Sequence, residues 1–185
     1  MDNWQDDLTG FWEKAWDVLA YGAAHAGSTA RLCALATVGP DGGAEARTVA
    51  LRNVDPTARM LGITTDRRTP KASELVANPR ATLLFWVPEH NLQIRARVMI
   101  ELSHTPEAQG FLDAIPERAR SVFRVEPVPG SSIADADDYR HGTQDHFAQI
   151  TASLREMDLV WLGTPRHRRA VYGVEGDWGG QWISP

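Results

Sequence analysis

The run Leu92-Gln93-Ile94-Arg95-Ala96-Arg97-Val98-Met99-Ile100-Glu101-Leu102 decides the fold class. Side chains alternate along an extended chain, so Leu92, Ile94, Ala96, Val98 and Ile100 share one face and Gln93, Arg95 and Arg97 the other. That is the pattern of a strand with one buried side. Toward the N-terminus, further apolar and β-branched runs near 31–38, 44–54, 59–65 and 80–87 are separated by turn signals such as Gly39-Pro40-Asp41-Gly42-Gly43 and Asp55-Pro56. The spacing predicts an antiparallel meander. One helix interrupts it, with Thr69 as N-cap, Pro70 at the first helical position, a body from Lys71 to Ala77 and a stop at Asn78-Pro79.

On the C-terminal side, a helix is expected from Thr105-Pro106-Glu107 to about Ile115-Pro116, and another over Glu117 to Phe123. Residues 125–138, rich in proline, small residues and acids, read as an exposed loop, and a loop this long inside a compact domain is often functional. Helical spacing returns from Tyr139 to Met157, and short strands are expected near Asp158–Leu162, Arg169–Val174 and Trp178–Ile183. At the other end, Trp4, Leu8, Phe11, Trp12, Ala15 and Leu19 recur at spacings of three and four, which predicts an amphipathic helix over about 3–21. Its aromatic stripe reads as core packing. Six to eight strands flanked by helices predict a mainly β protein, closed into a small barrel because closure removes exposed edges.

With 185 residues the chain fits a single domain, 1–185, with a C-terminal segment over about 158–185. A hydrophobic fraction of 43%, a charged fraction of 23% and seven Trp residues describe a globular protein and exclude disorder. The net charge of −5 argues against a general nucleic-acid or membrane-surface binder. Any anionic ligand must be held by local arginines. The single cysteine, Cys33, lies in an apolar run and reads as a small buried hydrophobe. The acidic start of the chain has neither a basic leader nor an apolar signal core, and no window reaches transmembrane length, so a cytoplasmic location is expected. The six histidines form no set at ligand spacing, so no metal site is expected, and the glycine patterns of dinucleotide and phosphate-loop folds are absent.

Chemistry concentrates in Arg47-Thr48-Val49-Ala50-Leu51-Arg52 and Gly62-Ile63-Thr64-Thr65-Asp66-Arg67-Arg68-Thr69-Pro70-Lys71. Arg47, Arg52, Arg67, Arg68 and Lys71 cluster around a Thr-rich turn that leads into a helix. Free N–H groups and the helix dipole favour an anion there, and arginine adds charge-assisted bonds. A phosphate site and a solvated basic face are both compatible with this cluster. A strict period of two puts Arg47 and Arg52 on opposite faces, so their meeting at one ligand requires a β-bulge or an interface.

These segments resemble the flavin-dependent pyridoxamine 5'-phosphate oxidases over about residues 30–102. Arg47 to Arg52 looks like the family's first flavin segment, including Thr48, Val49 and Leu51, with Arg47 on the flavin phosphate and Arg52 where lysine usually approaches the ring. Thr64-Thr65 matches an aromatic-Thr pair, and Lys71 matches the lysine of a Ser-Arg-Lys turn whose arginine is here Pro70, leaving Arg67 or Arg68 to compensate. Leu83-Leu84-Phe85, eight positions before Gln93, resembles the strand that precedes the family's flavin-contacting glutamine. Trp161, Gly163, Arg169 and Tyr172 look like its C-terminal segment, in which Trp161 and Arg169 would touch the flavin from a partner subunit. The resemblance implies an FMN-binding split β-barrel, a homodimer with sites at the interface, and redox chemistry on a small-molecule substrate. A helix and barrel rich in exposed-looking aromatics agree with a dimer.

The resemblance also has limits. The vitamin-binding Tyr, Arg and Ser of the oxidases would fall near Phe111, Ile115 and Ala119, and the tail motif is shortened to Arg166-His167-Arg168-Arg169. Flavin binding therefore carries over better than the vitamin substrate, and no side chain stands out as a general acid or base. A non-catalytic flavin carrier or redox sensor, and a small-ligand barrel without flavin, are the competing expectations.

Overall fold

In a computed structural model of the chain, residues 3–105, 112 and 115–185 are described. The five expected strands form as β1 (Leu32–Val38), β2 (Ala44–Asp55), β3 (Met60–Asp66), β4 (Arg80–Val87) and β5 (Leu92–Ser103). Two-residue strands β6 (Val125–Glu126) and β7 (Arg140–His141) pair with each other, and β8 (Phe147–Trp161), β9 (Arg168–Gly173) and β10 (Gln181–Trp182) complete the chain. Six strands close a barrel in the order β8-β3-β2-β1-β4-β5, with β5 returning to β8, and every pairing is antiparallel. The strands β9 and β10 extend the sheet beyond the closure, attached to the second half of β8.

The alternation read from the sequence sets the faces. Leu92, Ile94, Ala96, Val98 and Ile100 are buried in the core with Cys33, Leu35, Val49, Leu51, Leu83 and Phe85. The β1–β2 turn works because Gly42 takes a φ of 83°, in the left-handed region open to glycine, and Asp41 Oδ1 accepts from the Gly43 N–H at 2.9 Å.

Three expectations are corrected. The stretch Tyr139 to Met157 is not a helix: most of it is the first part of β8, which continues unbroken through the short strand expected at Asp158–Leu162. Its inward residues run Ala148, Ile150, Ala152, Leu154 and then Met157, Leu159, because a bulge at Arg155 shifts the register against β5. That shift of parity breaks the period of two and mimics helical spacing. The N-terminal helix is shorter at its start and longer at its end than expected: Asp7 caps α1 (Leu8–Ala24) through the Gly10 N–H at 2.8 Å, after a single 3-10 turn at Trp4–Asp6. The helix α2 (Pro70–Ala77) stands where expected, but the Thr69 hydroxyl donates to the Asp66 carbonyl at 2.7 Å instead of capping it. The helix expected from Thr105 falls largely outside the described residues, and a helical turn at Glu117–Arg120 passes into a 3-10 turn ending at Phe123. No described helix is long and apolar enough to cross a membrane.

The aromatic stripe of α1 faces the chain's own tail. Phe11 stacks on Trp182 with ring centroids 5.8 Å apart, Trp12 meets Tyr172 at 5.0 Å and Trp178 at 5.7 Å, and Trp4 meets Trp161 edge-on at 6.3 Å. The Tyr172 hydroxyl donates to the Leu8 carbonyl at 2.7 Å. This stripe is therefore intramolecular packing.

Candidate functional site

At one mouth of the barrel, beside α2, the sequence builds a polar cluster around Arg47. Arg47 shares the inward face of β2 with Val49 and Leu51, and across from it on β1 stand Leu35, directly opposite, and Thr37, diagonally, on the same inward face. The Arg47 guanidinium donates to the Thr37 hydroxyl and, at 2.8 Å, to Glu74 Oε2 on α2, and the Thr37 hydroxyl donates to the same carboxylate oxygen at 2.6 Å. Thr37 and Glu74 are buried. Alongside, Lys71 Nζ donates to the Thr65 hydroxyl at 3.1 Å, and Thr65 lies 3.4 Å from the Thr69 hydroxyl. Burial lowers the Lys71 pKa and the nearby positive charge of Arg47 lowers it further, against the raising effect of Asp66 and Glu74. Two cations crowded among hydroxyls at the start of a helix gain from an anion between them.

The other expected residues fall elsewhere. Val49 and Leu51 are core side chains, so only their backbones can meet a ligand. Thr48 faces outward opposite Ala34, and Thr64 pairs with Gln149. Arg52 sits at the bulge that the sequence required: Leu51 pairs with Ile63 and Asn53 with Gly62, leaving Arg52 as the extra residue. The bulge does not bring it to Arg47. Arg52 is exposed near Arg31, and its pKa is lowered by desolvation and then by Arg31. Of the two candidates to replace the missing arginine at Pro70, Arg68 is committed to Asp66, with bonds of 3.1 and 2.7 Å, and to the Val125 carbonyl at 2.8 Å. Arg67 is exposed and stays available.

A second group of polar residues lies on the outer face of the sheet. Register aligns Trp86 of β4, Gln93 of β5, Val160 of β8 and Arg169 of β9 in one row across four strands. Beside it, Leu84, Arg95, Asp158 and Val171 form the next row. Asp158 holds Arg95 at 2.5 Å and Arg169 at 2.8 and 3.1 Å, and these bonds raise the Arg169 pKa. Trp161 does not join this face. Val160 occupies the row, and Trp161 turns to the opposite side, against Trp4 and against Gly163, where a Cβ would lie 1.8 Å from the indole ring. A cleft of about 500 Å³ lined by Asp6, His167, Arg168, Arg169 and Trp182 opens beside the end of the row.

Thr37, Glu74, Arg95 and Asp158 escaped the sequence reading as site residues. Glu74 carried a signal, an acid three residues after Lys71 on the inner side of a short helix, and Asp158 another, an acid inside the apolar run Met157 to Leu159. Among the described residues no three His, Cys, Asp or Glu side chains converge as metal ligands.

A closed six-stranded barrel with its sheet extended beyond the closure is the fold of the FMN-binding split-barrel proteins. The pyridoxamine 5'-phosphate oxidase FMN-binding domain matches residues 4–103. A pyridoxine/pyridoxamine 5'-phosphate oxidase of Anaeromyxobacter dehalogenans is 34% identical over 169 residues, covering 91% of this chain and 75% of that protein. The enzyme of the same name from Microcystis aeruginosa is 36% identical over 86 residues, 46% of this chain, and the chain spans only 39% of its length. Among solved structures, a pyridoxamine 5'-phosphate oxidase-related, FMN-binding protein of Nostoc punctiforme superposes with a TM-score of 0.74 at 24% identity, covering 94% of this chain and 97% of that one. The chain belongs to the pyridoxamine 5'-phosphate oxidase FMN-binding family, and FMN is its cofactor.

Proposed function

We propose that this chain is an FMN-dependent oxidoreductase that acts on a small molecule other than the vitamin substrate, and works as a cytoplasmic homodimer. The Arg47, Lys71 and Thr65 cluster carries the reading. Its donors suit a phosphate dianion, and its crowded positive charge is relieved by one. Gln93, whose side chain has no hydrogen-bond partner among the described residues, offers its amide to a ring edge, and Arg169 brings positive charge to the same row. Bound FMN supplies a ring that accepts electrons or hydride, while the protein supplies orientation and electrostatics. Positive charge at the ring favours the reduced, anionic form.

The substrate departure rests on burial. Ile115 is buried with Leu112, Phe123 and Phe147, and Ala119 packs against them, so two of the three positions matched to vitamin-binding residues serve a small apolar core. The third, Phe111, lies outside the described residues. The dimer reading rests on geometry: Arg47 points into the barrel mouth, Gln93 and Arg169 point outward, and three strand-to-strand steps separate β2 from β5. One flavin spans both groups more easily when two copies each contribute one of them. Exposed Leu32, Leu84 and Trp86 on the outer face fit such an interface.

Titration of the apoprotein with FMN, followed by flavin fluorescence quenching, tests the cofactor site. Replacing Arg47 alone would strip buried Glu74 of its hydrogen-bonded cation, so the informative variant is the double change Arg47→Gln with Glu74→Gln, which leaves the net charge of the site unchanged. Loss of one charge-assisted phosphate contact, about 1.5–3 kcal/mol, corresponds to about 10- to 100-fold weaker FMN binding. Riboflavin, which has no phosphate, should bind wild type and variant alike. Equal FMN affinities would sink the phosphate assignment.

A further inference from the structure

Asp158 is 1% exposed, the most deeply buried carboxylate among the described residues, yet it points to the outer face of β8. What covers it is a pair of arginines from the strands on either side. Arg95 on β5 pairs directly with it, and Arg169 on β9 reaches it diagonally. Both guanidinium Nη2 atoms donate to the same oxygen, Oδ2, at 2.5 and 2.8 Å, while Arg169 Nε donates to Oδ1 at 3.1 Å. Two like charges are thereby held side by side, and the trio keeps one net positive charge. Both arginine side chains keep part of their surface open, at 36% and 30% exposure, while Arg95 Nε is buried without a hydrogen-bond partner.

Stitching strands together does not account for this arrangement. Full backbone ladders already join β5 to β8 and β8 to β9, and buried ion pairs are seldom more stabilising than apolar residues of the same volume. The trio does supply geometry. Without the shared carboxylate, mutual repulsion and side-chain entropy would scatter the two arginines. Gln93 stands two residues from Arg95 on the same face of β5, in the row that also holds Arg169.

Given the flavin reading above, we propose that Asp158 is a positioning residue that locks Arg95 and Arg169 into one rigid donor pair at the edge of the bound ring, beside Gln93. The pair then acts as a unit, and its orientation sets how strongly reduced flavin is preferred over oxidised.

The test is a double-variant cycle on the full-length protein, with Asp158→Asn, Arg169→Gln and their combination, alongside Asp158→Glu. FMN dissociation constants and the midpoint potential of the bound flavin are the readouts, with circular dichroism to check folding. Asp158→Asn is expected to weaken FMN binding at least tenfold and to lower the potential by about 30 mV or more, the equivalent of a tenfold change for a two-electron couple. The combined variant should lose less than the sum of the two single losses, because part of what Asp158 does passes through Arg169 and the rest through Arg95, and Asp158→Glu should recover part of the loss. An unchanged potential, additive effects, or a raised potential from a merely neutralising carboxylate would each overturn the proposal. If Asp158→Asn does not fold, Arg95→Gln and Arg169→Gln decide the same question: non-additive losses support a paired unit and additive ones refute it. A wild-type protein that takes up no FMN would remove the flavin reading itself, a result seen before any variant is made.

Discussion

Cys33 is buried on the inner face of β1, and that burial pushes its thiol from an ordinary 9.0 up to about 12. The sign of the consequence follows from linkage. A group whose native pKa is raised adds stability that is complete below the unfolded value and is lost as pH climbs toward the native one. Wild type should therefore lose about 1.4 kcal/mol per pH unit relative to Cys33→Ala between about pH 9 and 12, measured by urea unfolding. Parallel curves for the two proteins would mean the thiol ionises freely in the native state. Single residues were legible in the sequence where one segment sufficed: Arg47, Lys71 and Gln93 stand in motifs of a few residues. Glu74 and Asp158 were not, since their meaning comes from partners distant along the chain, Thr37 and Arg47 for one and Arg95 for the other. Trp161 shows the same limit from the opposite side. Its type matched the pattern, but strand parity, set by the Arg155 bulge, turned it inward.

Among the elements, α1 depends on a close approach that its periodicity hides. A Cβ on Gly22 would lie 2.7 Å from the backbone carbon and oxygen of Ala30. Two effects compete in Gly22→Ala: a helix-propensity gain of up to about 1 kcal/mol and an overpacking cost of about 1–3 kcal/mol. Because the obstacle is backbone, which cannot swing aside, the cost should win. Thermal unfolding is expected to drop by a few degrees, while Gly27→Ala, where a Cβ meets nothing within 4 Å, should change little. A Gly22→Ala protein as stable as wild type would show that α1 and the following turn have room to separate. Element types read well wherever one period held throughout, as in β5 and α1. They failed in β8, whose two halves face the core with opposite parity and whose Arg155, Glu156 and Asp158 broke the apolar run.

For the molecule as a whole, closure comes late in the chain. The family match over residues 4–103 contains five of the six barrel strands, and β8 from beyond it seals the gap between β3 and β5. A chain cut before Phe147 would expose two long edges with unpaired backbone groups, so it should aggregate or remain unfolded. Size-exclusion chromatography and circular dichroism of such a fragment would decide this, and a monomeric, β-rich fragment would contradict it. The barrel itself was legible from the run of strands and turns, while its order and closure were not, because pairings between distant strands leave no local trace. The strands β9 and β10, by contrast, hang outside the seal and are held by half of β8 and by the rings of α1. Selection can therefore rewrite the exposed positions of the tail with little risk to the vessel that carries it, while Ala170 and Tyr172, sunk in its core, stay tied to the barrel.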